Sequence, residues 1–346
     1  MASGPEHTVL VTGGAGYIGA HTAKALRERG HRPVVFDNLS SGYRDAVRWG
    51  DFIHGDIRDT EAVAEALART QARHIIHFAG LIEVGRSVSR PDLFWAHNVT
   101  GLASVLQAAA AARVERVVFS SSAAVYGQAA AGFELDLLSE DNPKAPASPY
   151  GDTKLAGEKM IAAYASAFGF SAVALRYFNA AGADPSGLIG EAHQPETHLI
   201  PLAIAAALGH GKPLTVFGTD FPTPDGTCLR DYVHVDDLAA AHVAAVELDL
   251  SPGAFEAFNI GAGHGASVFE VLAAIEAACG RAPPHSLGAR RAGDPASLVA
   301  DPARANRRLG WTPRCSDLDH IIRTAVAWHK APAYGATPPQ PAGVLS

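Results

Sequence analysis

Residues 7–19 read HTVLVTGGAGYIG: a β-branched apolar run, a turn holding Gly13, Gly16 and Gly19, then the Ala-rich amphipathic run that starts at Tyr17 and Ile18. A strand that feeds a helix through a glycine turn commits the chain to a strand-helix-strand unit with parallel strands and a right-handed crossover. Gly13 allows the tight turn, Gly16 lets the backbone approach a pyrophosphate, and Gly19 permits close helix packing, so the helix N-terminus faces phosphates. The next strand, RPVVFDN, ends in Asp37, eighteen residues past Gly19, and runs on through Asn38 and Ser40. A carboxylate at that place accepts from ribose hydroxyls and repels a ribose phosphate, which favours NAD over NADP. Asp56 and Ile57 follow a third strand in GDIRD; Asp56 either contacts the adenine edge or caps the next helix.

The same alternation continues through residue 179. Strand candidates are HTVLVTG, RPVVFDN, DFIHGDI, HIIHFAG, VERVVFSSS and SAVALRYFN, with helix candidates near 17–29, 60–69, 99–112 and 151–168. Six strands with helices between them predict an α/β, doubly wound parallel (Rossmann) sheet. From about residue 180 the pattern changes to Pro- and Gly-rich loops, where substrate contacts are commonly built. We therefore expect a dinucleotide-binding domain over 1–179 with a return near 232–261, where FEAFNIG reads as one more strand. A smaller α/β substrate domain is expected over 180–330, and a flexible Pro/Ala/Gly tail over 331–346.

Bulk properties bound the function. At 346 residues the chain exceeds the size at which one core stops growing. A net charge of −7 without a basic run argues against nucleic acid or an anionic membrane as partner. No apolar stretch is long enough to span a bilayer, and the N-terminus lacks the pattern of a secretory signal, so a cytoplasmic location is expected. Cys228, Cys279 and Cys315 are odd in number and far apart, as reduced structural thiols would be.

The chemistry is carried by three side chains. The fifth strand ends in SSSAAVYG, which brings Ser120 and Ser122 to the carboxyl edge of the sheet, where open α/β folds bind ligands. The stretch SPYGDTK then opens a long helix with Tyr150 and Lys154 one turn apart on one face. A phenol is a poor base at neutrality, and a neighbouring ammonium together with a positive nicotinamide ring favours its phenolate. Tyr150 can then take a proton from a sugar hydroxyl while Ser122 holds the same oxygen and hydride leaves for the dinucleotide.

With TGGAGYIGAHT, FDNLSSG, GDIRD, HFAGLIEVGRSV, FSSSAAVYG, SPYGDTK, LRYFNAAGADPSG, FGTDFPTPDGTCLRDYVHVDDLA, FNIGAG and RRAGDPASLVAD in place, the chain resembles the extended short-chain dehydrogenase/reductase family, and within it the UDP-sugar 4-epimerases, over about residues 8–330. The resemblance implies an isomerase that retains NAD and inverts carbon 4 of a UDP-hexose through a 4-keto sugar, as a homodimer paired through helices near 92–112 and 151–168. It further implies that Phe78, Ala79, Gly80, Asn98, Ser120, Tyr177 and Phe178 line the cofactor, and that Asn179, His198 and Leu199 lie beside the phosphates and sugar. Val216 and Phe217 would cradle uracil with Tyr232 nearby, Arg230 and Arg291 would pair with the diphosphate, and Asp294 would accept from the uridine ribose.

The chain departs from the family pattern in three places. Ile82 stands where relatives often carry a phosphate-binding lysine, and His198 where asparagine is common. Leu298 replaces a tyrosine of some relatives, which opens the pocket to N-acetylated hexosamines. The segment EAHQPETH packs two histidines and two glutamates into eight residues, but its spacing matches no helical metal motif and Pro195 suggests an extended loop, so no metal is expected. Two rivals are a nucleotide-sugar dehydratase, which needs acidic residues where Ala123 and Ala124 stand, and a catalytically silent NAD sensor on the same fold.

Overall fold

The computed structural model describes residues 6–127, 137–291 and 294–335. Six strands of the first half run parallel in one sheet: β1 (Thr8–Thr12), β2 (Arg32–Asp37), β3 (Asp51–His54), β4 (His74–His77), β5 (Arg116–Ser122) and β6 (Ser171–Tyr177). A seventh strand, Phe255–Ile260, returns from the second half and pairs parallel with β6. The spatial order is seventh strand, β6, β5, β4, β1, β2, β3. The order reverses between β1 and β4, and at that crevice a doubly wound sheet holds its ligand.

Alternation along each strand assigns its residues to two cores. Leu10, Val34, Ile75 and Val117 point to the face covered by the helices Thr60–Thr70, Gly101–Ala111 and Pro149–Phe168. Val9, Val11, Ile76 and Val118 point to the opposite face, under Tyr17–Arg29 and Val235–Glu247. Burial on both faces explains why these strands read as continuous apolar runs. A third core, with Ile204, Val216, Ile275 and Ile322, lies under the helices Leu199–Ala207, Val268–Cys279 and Leu318–Lys330. Around it are a small sheet built on Leu229–His234 and the pair Leu214–Phe217 with His285–Gly288.

Two expectations change here. Ala331–Gly335 does not hang free: Tyr334 is buried against Trp328, and its hydroxyl accepts from Gly190 N (3.1 Å) and donates to Gly190 O (3.0 Å). An aromatic ring with a hydrogen-bonded handle outweighs the local Pro/Ala/Gly composition. The rest of the expected tail, 336–346, lies outside the described residues. Asp56 is not a helix cap, because Asp59 accepts from Glu61 N and Ala62 N at the head of Thr60–Thr70.

Three histidines are sealed in the interior as neutral rings. His242 Nδ1 donates to Leu238 O (2.8 Å), which leaves Nε2 to accept from the Tyr177 hydroxyl (2.9 Å). Burial lowers His242 to about 4, His21 to about 4 and His77 to about 3. A ring that resists protonation when folded but accepts a proton near pH 6.5 when unfolded costs nothing above that pH and destabilises the fold increasingly below it. At pH 5 each ring should remove about 2 kcal/mol. Urea unfolding at pH 7.5 and pH 5 should therefore show a midpoint that falls steeply over that interval, and a midpoint independent of pH there would contradict the neutral assignment.

Candidate active site

Helix Pro149–Phe168 carries Tyr150 and Lys154, and the sequence dictates how it is seated. Ser148 accepts from Gly151 N (3.2 Å) as the N-cap, and Pro149 occupies the first helical position. At Gly151 a side chain would meet Ala124 O at 2.6 Å, so the absence of one lets the helix approach the turn after β5. That approach brings Tyr150 against Ser122, whose Oγ also accepts from Ala124 N (3.1 Å). Lys154 donates from Nζ to Ser120 O (2.7 Å) and sits 5.7 Å from the centre of the Tyr150 ring. The three side chains expected to act together do meet at the carboxyl end of β5.

The electrostatics differ from the sequence expectation. Burial pushes the Tyr150 phenol above its ordinary value, and the hydrogen bond with Ser122, not the charge of Lys154, pulls it back. Burial also brings Lys154 down to about 8. Both groups lie where desolvation disfavours charge, so proton loss from Tyr150 and proton gain by Lys154 both carry a desolvation cost in the protein alone.

The glycine turn forms a cradle with the features a dinucleotide phosphate requires. Gly13 has φ +73°, and a side chain there would strike Ala79 N at 2.5 Å; one at Gly19 would strike Gly13 O at 2.4 Å. Helix Tyr17–Arg29 begins at Gly16 with no side-chain cap and no acidic residue in its first turn, so its first amide groups are free for an anion. Ile18 packs on the second core, and the Tyr17 hydroxyl donates to Gly182 O (2.6 Å), which ties the helix to the later loops.

Asp37 ends β2 with its carboxylate accepting from Leu39 N (2.8 Å) and Ala15 N (3.0 Å). Its pKa is raised because burial outweighs those bonds. Asn38 accepts from Ser40 N (3.0 Å) and donates to Asp56 (3.1 Å), so these residues form one pocket edge. Asp56 is held at about 2, chiefly by its hydrogen bonds with Arg58. Ile57 is buried beside Gly101. Asn98, expected to line the cofactor, clamps Leu81 through N (2.8 Å) and O (3.0 Å) and donates to Thr153 (3.1 Å). It therefore shapes the Gly80–Leu81 wall, where a side chain on Gly80 would meet Asn98 Oδ1 at 2.9 Å. Phe78 packs on His242, and Tyr177 donates to that ring. Phe178 is buried with Ala123 and Val125, and Leu298 packs against that group.

The second half brings its expected residues together in small groups. Leu298 pairs in register with Arg230. Arg230 lies 3.7 Å from Asp294 and donates to Leu229 O (2.8 Å) and Pro295 O (3.1 Å). Arg291 stacks over Phe217 at 4.1 Å, next to buried Val216. Asn179 donates to Asp231 O (2.9 Å) from a strand in register with Tyr232, whose phenol burial pushes upward. Leu199 opens helix Leu199–Ala207 with His198 as its N-cap residue. Ile82 is exposed.

Two arrangements escaped the sequence reading. Glu158, one turn beyond Lys154, forms a buried fork with Arg176 (2.7 and 2.8 Å) and accepts from Ser121. Arg176 also donates to the Tyr126 hydroxyl (3.0 Å), which donates to Asn259 (2.6 Å). The helix is thus tied to β5, β6 and the seventh strand. A glutamate at i+4 from Lys154, on the helix face that also carries Tyr150 and Ile161, was the available signal. The second is the 191–198 loop, which folds on itself instead of running extended, so that Glu191, His193, Glu196 and His198 converge.

The sequence matches the model of the NAD dependent epimerase/dehydratase family over residues 9–261. It is 51% identical to UDP-glucose 4-epimerase of Rhizobium leguminosarum bv. trifolii, with 93% of this chain and 97% of that protein aligned. It is 49% identical to the UDP-glucose 4-epimerase of Rhizobium meliloti, over 94% of this chain and 97% of that protein. The fold is similar to that of UDP-glucose 4-epimerase from Brucella ovis in complex with NAD, at 49% identity and TM-score 0.88 over 93% of this chain and 98% of that one. It is likewise similar to the Bifidobacterium longum enzyme in complex with NAD⁺ and UDP, at 36% identity and TM-score 0.88 over 95% and 99% of the two chains. The glycine cradle, the Ser-Tyr-Lys meeting point and these matches agree, and the chain belongs to the NAD dependent epimerase/dehydratase family.

Proposed function

We propose that this chain is an NAD-dependent isomerase that inverts carbon 4 of a UDP-hexose, interconverting UDP-glucose and UDP-galactose. The observation that carries the reading is the convergence of Ser122, Tyr150 and Lys154 at the end of β5, in a chain half identical to UDP-glucose 4-epimerases. Bound NAD supplies the acceptor and donor of hydride at carbon 4, and its positive ring favours the phenolate. Tyr150 removes the proton from the 4-hydroxyl and returns it after the sugar has turned, while Ser122 holds the same oxygen. Lys154, anchored on Ser120 O, fixes the position of the ring and adds positive charge when protonated. The free amides of Tyr17 and Ile18 would hold the pyrophosphate, Gly16 N being spent on Gly13 O, and Asp37 and Asn38 would take the adenosine ribose. Arg230, Arg291, Phe217 and Asp294 hold the uridine diphosphate, which leaves the sugar free to present either face.

Dehydration is disfavoured because Ala123 and Ala124 offer no proton shuttle beside Ser122. A silent sensor is disfavoured because all three reactive side chains meet. In the same reading the protein works in the cytoplasm as a homodimer through helices near 92–112 and 151–168, where Trp95 and Phe168 are exposed. Among the described residues no helix is long and apolar enough to cross a membrane. The test is conversion of UDP-galactose to UDP-glucose, followed with a coupled dehydrogenase, alongside UDP-N-acetylgalactosamine, UDP-xylose and UDP-glucuronate. Protein that carries NAD yet converts none of them would overturn the reading in favour of a sensor.

Leu298 sets the second specificity expectation. It is half-buried against the Ala123 and Phe178 cluster, so a tyrosine there would fill space at the sugar end. Leu298→Tyr should lower turnover of N-acetylated UDP-hexosamines roughly tenfold or more relative to UDP-galactose. An unchanged ratio would remove Leu298 from the pocket.

A further inference from the structure

The turn that precedes helix Leu199–Ala207 gathers Glu191, His193, Glu196 and His198 so that one donor atom from each lies within 4.8 Å of every other. The separations are closer than that limit. Glu191 Oε1 is 2.8 Å from His198 Nδ1 and 3.0 Å from His193 Nδ1, while Glu196 Oε1 is 2.9 Å from His198 Nδ1 and Glu196 Oε2 is 3.8 Å from His193 Nδ1. Four N and O donors around a tetrahedral ion with bonds of about 2.0–2.1 Å stand about 3.3–3.4 Å apart; three of these contacts are hydrogen-bond lengths shorter than that edge and the fourth is longer, so an ion would spread the cluster by a few tenths of an ångström. Both imidazoles present Nδ1, not Nε2, to the same point. Without an ion, the His198 imidazole lies between the two carboxylates, whose hydrogen bonds and charge favour its protonated form against the cost of burial; a divalent ion would take the place of that proton and offset more of the carboxylate charge.

The surroundings favour an ion. Among the described residues, the ion-pair partners of Glu191 and Glu196 are these two histidines and no Lys or Arg. The Glu191 side chain is 6% exposed, so its charge has little access to water. The backbone that presents the donors is itself held: Trp328 Nε1 donates to Glu191 O (2.8 Å), and Tyr334 bonds both backbone groups of Gly190. Thr197 N and His198 N donate to Glu196 Oε1 (2.7 and 2.9 Å), and Tyr17 packs edge-on against His193 at 6.2 Å. Such supporting bonds orient ligands in metal sites. The His198 side chain is 47% exposed and gives an ion a route in. None of these residues is Cys, and two imidazoles with two carboxylates suit a borderline divalent ion of the zinc class over calcium or magnesium.

We propose that Glu191, His193, Glu196 and His198 form a binding site for one divalent transition-metal ion of the zinc class. The test uses tag-free full-length protein, dialysed against chelator and then titrated with zinc by calorimetry and with cobalt by visible absorption. The expected result is one saturable equivalent, with the intense visible bands of tetrahedral cobalt and no thiolate charge-transfer band. His193→Ala should weaken binding at least about tenfold, on the scale of a lost ligand contact. Glu196→Gln, which keeps shape and removes charge, should weaken it as well, and circular dichroism identifies any variant that fails to fold. Absence of a stoichiometric binding event in the folded wild-type protein would overturn the proposal. So would a cobalt spectrum with thiolate bands, or undiminished binding in folded His193→Ala.

Discussion

Tyr150→Phe should abolish conversion of UDP-galactose to UDP-glucose, with kcat falling by about 10²–10⁴, the range over which a positioned acid-base group contributes. The substitution removes one oxygen from a buried ring, so the change is close to isosteric. Helix Pro149–Phe168 keeps its cap at Ser148 and its close approach at Gly151, and the glycine cradle lies on a different helix. NAD content and KM for the UDP-sugar should therefore remain near those of the parent protein. A fall confined to kcat marks an interaction made only as the reaction proceeds. A fall in nucleotide content instead would make Tyr150 a binding residue.

The second large effect belongs to a buried ion pair behind the reacting side chains. Glu158 and Arg176 are each 5% exposed, and Glu158 also accepts from Ser121. Among the described residues, Glu158→Ala would leave the buried guanidinium only the Tyr126 hydroxyl and the Glu140 carbonyl as hydrogen-bond partners. Removing one member of a buried ion pair costs about 3–5 kcal/mol, far more than the pair itself is worth against an apolar replacement. Thermal and urea unfolding should show that loss. Combining Glu158→Leu with Arg176→Met should recover much of it, because no lone charge then remains. Because Glu158 sits one turn beyond Lys154, the single variant should also lower kcat by loosening the helix that presents Tyr150. Loss of stability in the single variant equal to that of the double would refute the charge argument.

The sequence was most legible where structure repeats. β-branched runs bounded by Gly, Asp or Ser became β1 to β6 within three residues, and FEAFNIG became the seventh strand, because a strand buried on both faces needs unbroken apolar residues. The convergence of Ser122 with Tyr150 followed from topology, since both lie at the carboxyl edge of one sheet. What depends on burial was not legible. The spacing of Tyr150 and Lys154 suggests a lysine that lowers the phenol pKa, whereas the folded surroundings raise the phenol and lower the amine. Nor could non-periodic chain be read. Residues 191–198 offer no hydrophobic period, so the meeting of Glu191, His193, Glu196 and His198 and the docking of Tyr334 on Trp328 emerge only in three dimensions. The partners of the Asn98 amide, Leu81 and Thr153, were likewise not legible in the sequence.

The central claim is that hydride leaves carbon 4 and comes back to the same carbon while Tyr150 carries the proton. It is tested most directly with UDP-galactose deuterated at carbon 4, by following the rate and the position of the label in the product. The account predicts slower turnover of the labelled sugar and full retention of deuterium at carbon 4 of UDP-glucose, even after many turnovers in ordinary water. Deuterium lost to solvent, with product formed at the unlabelled rate, would contradict it.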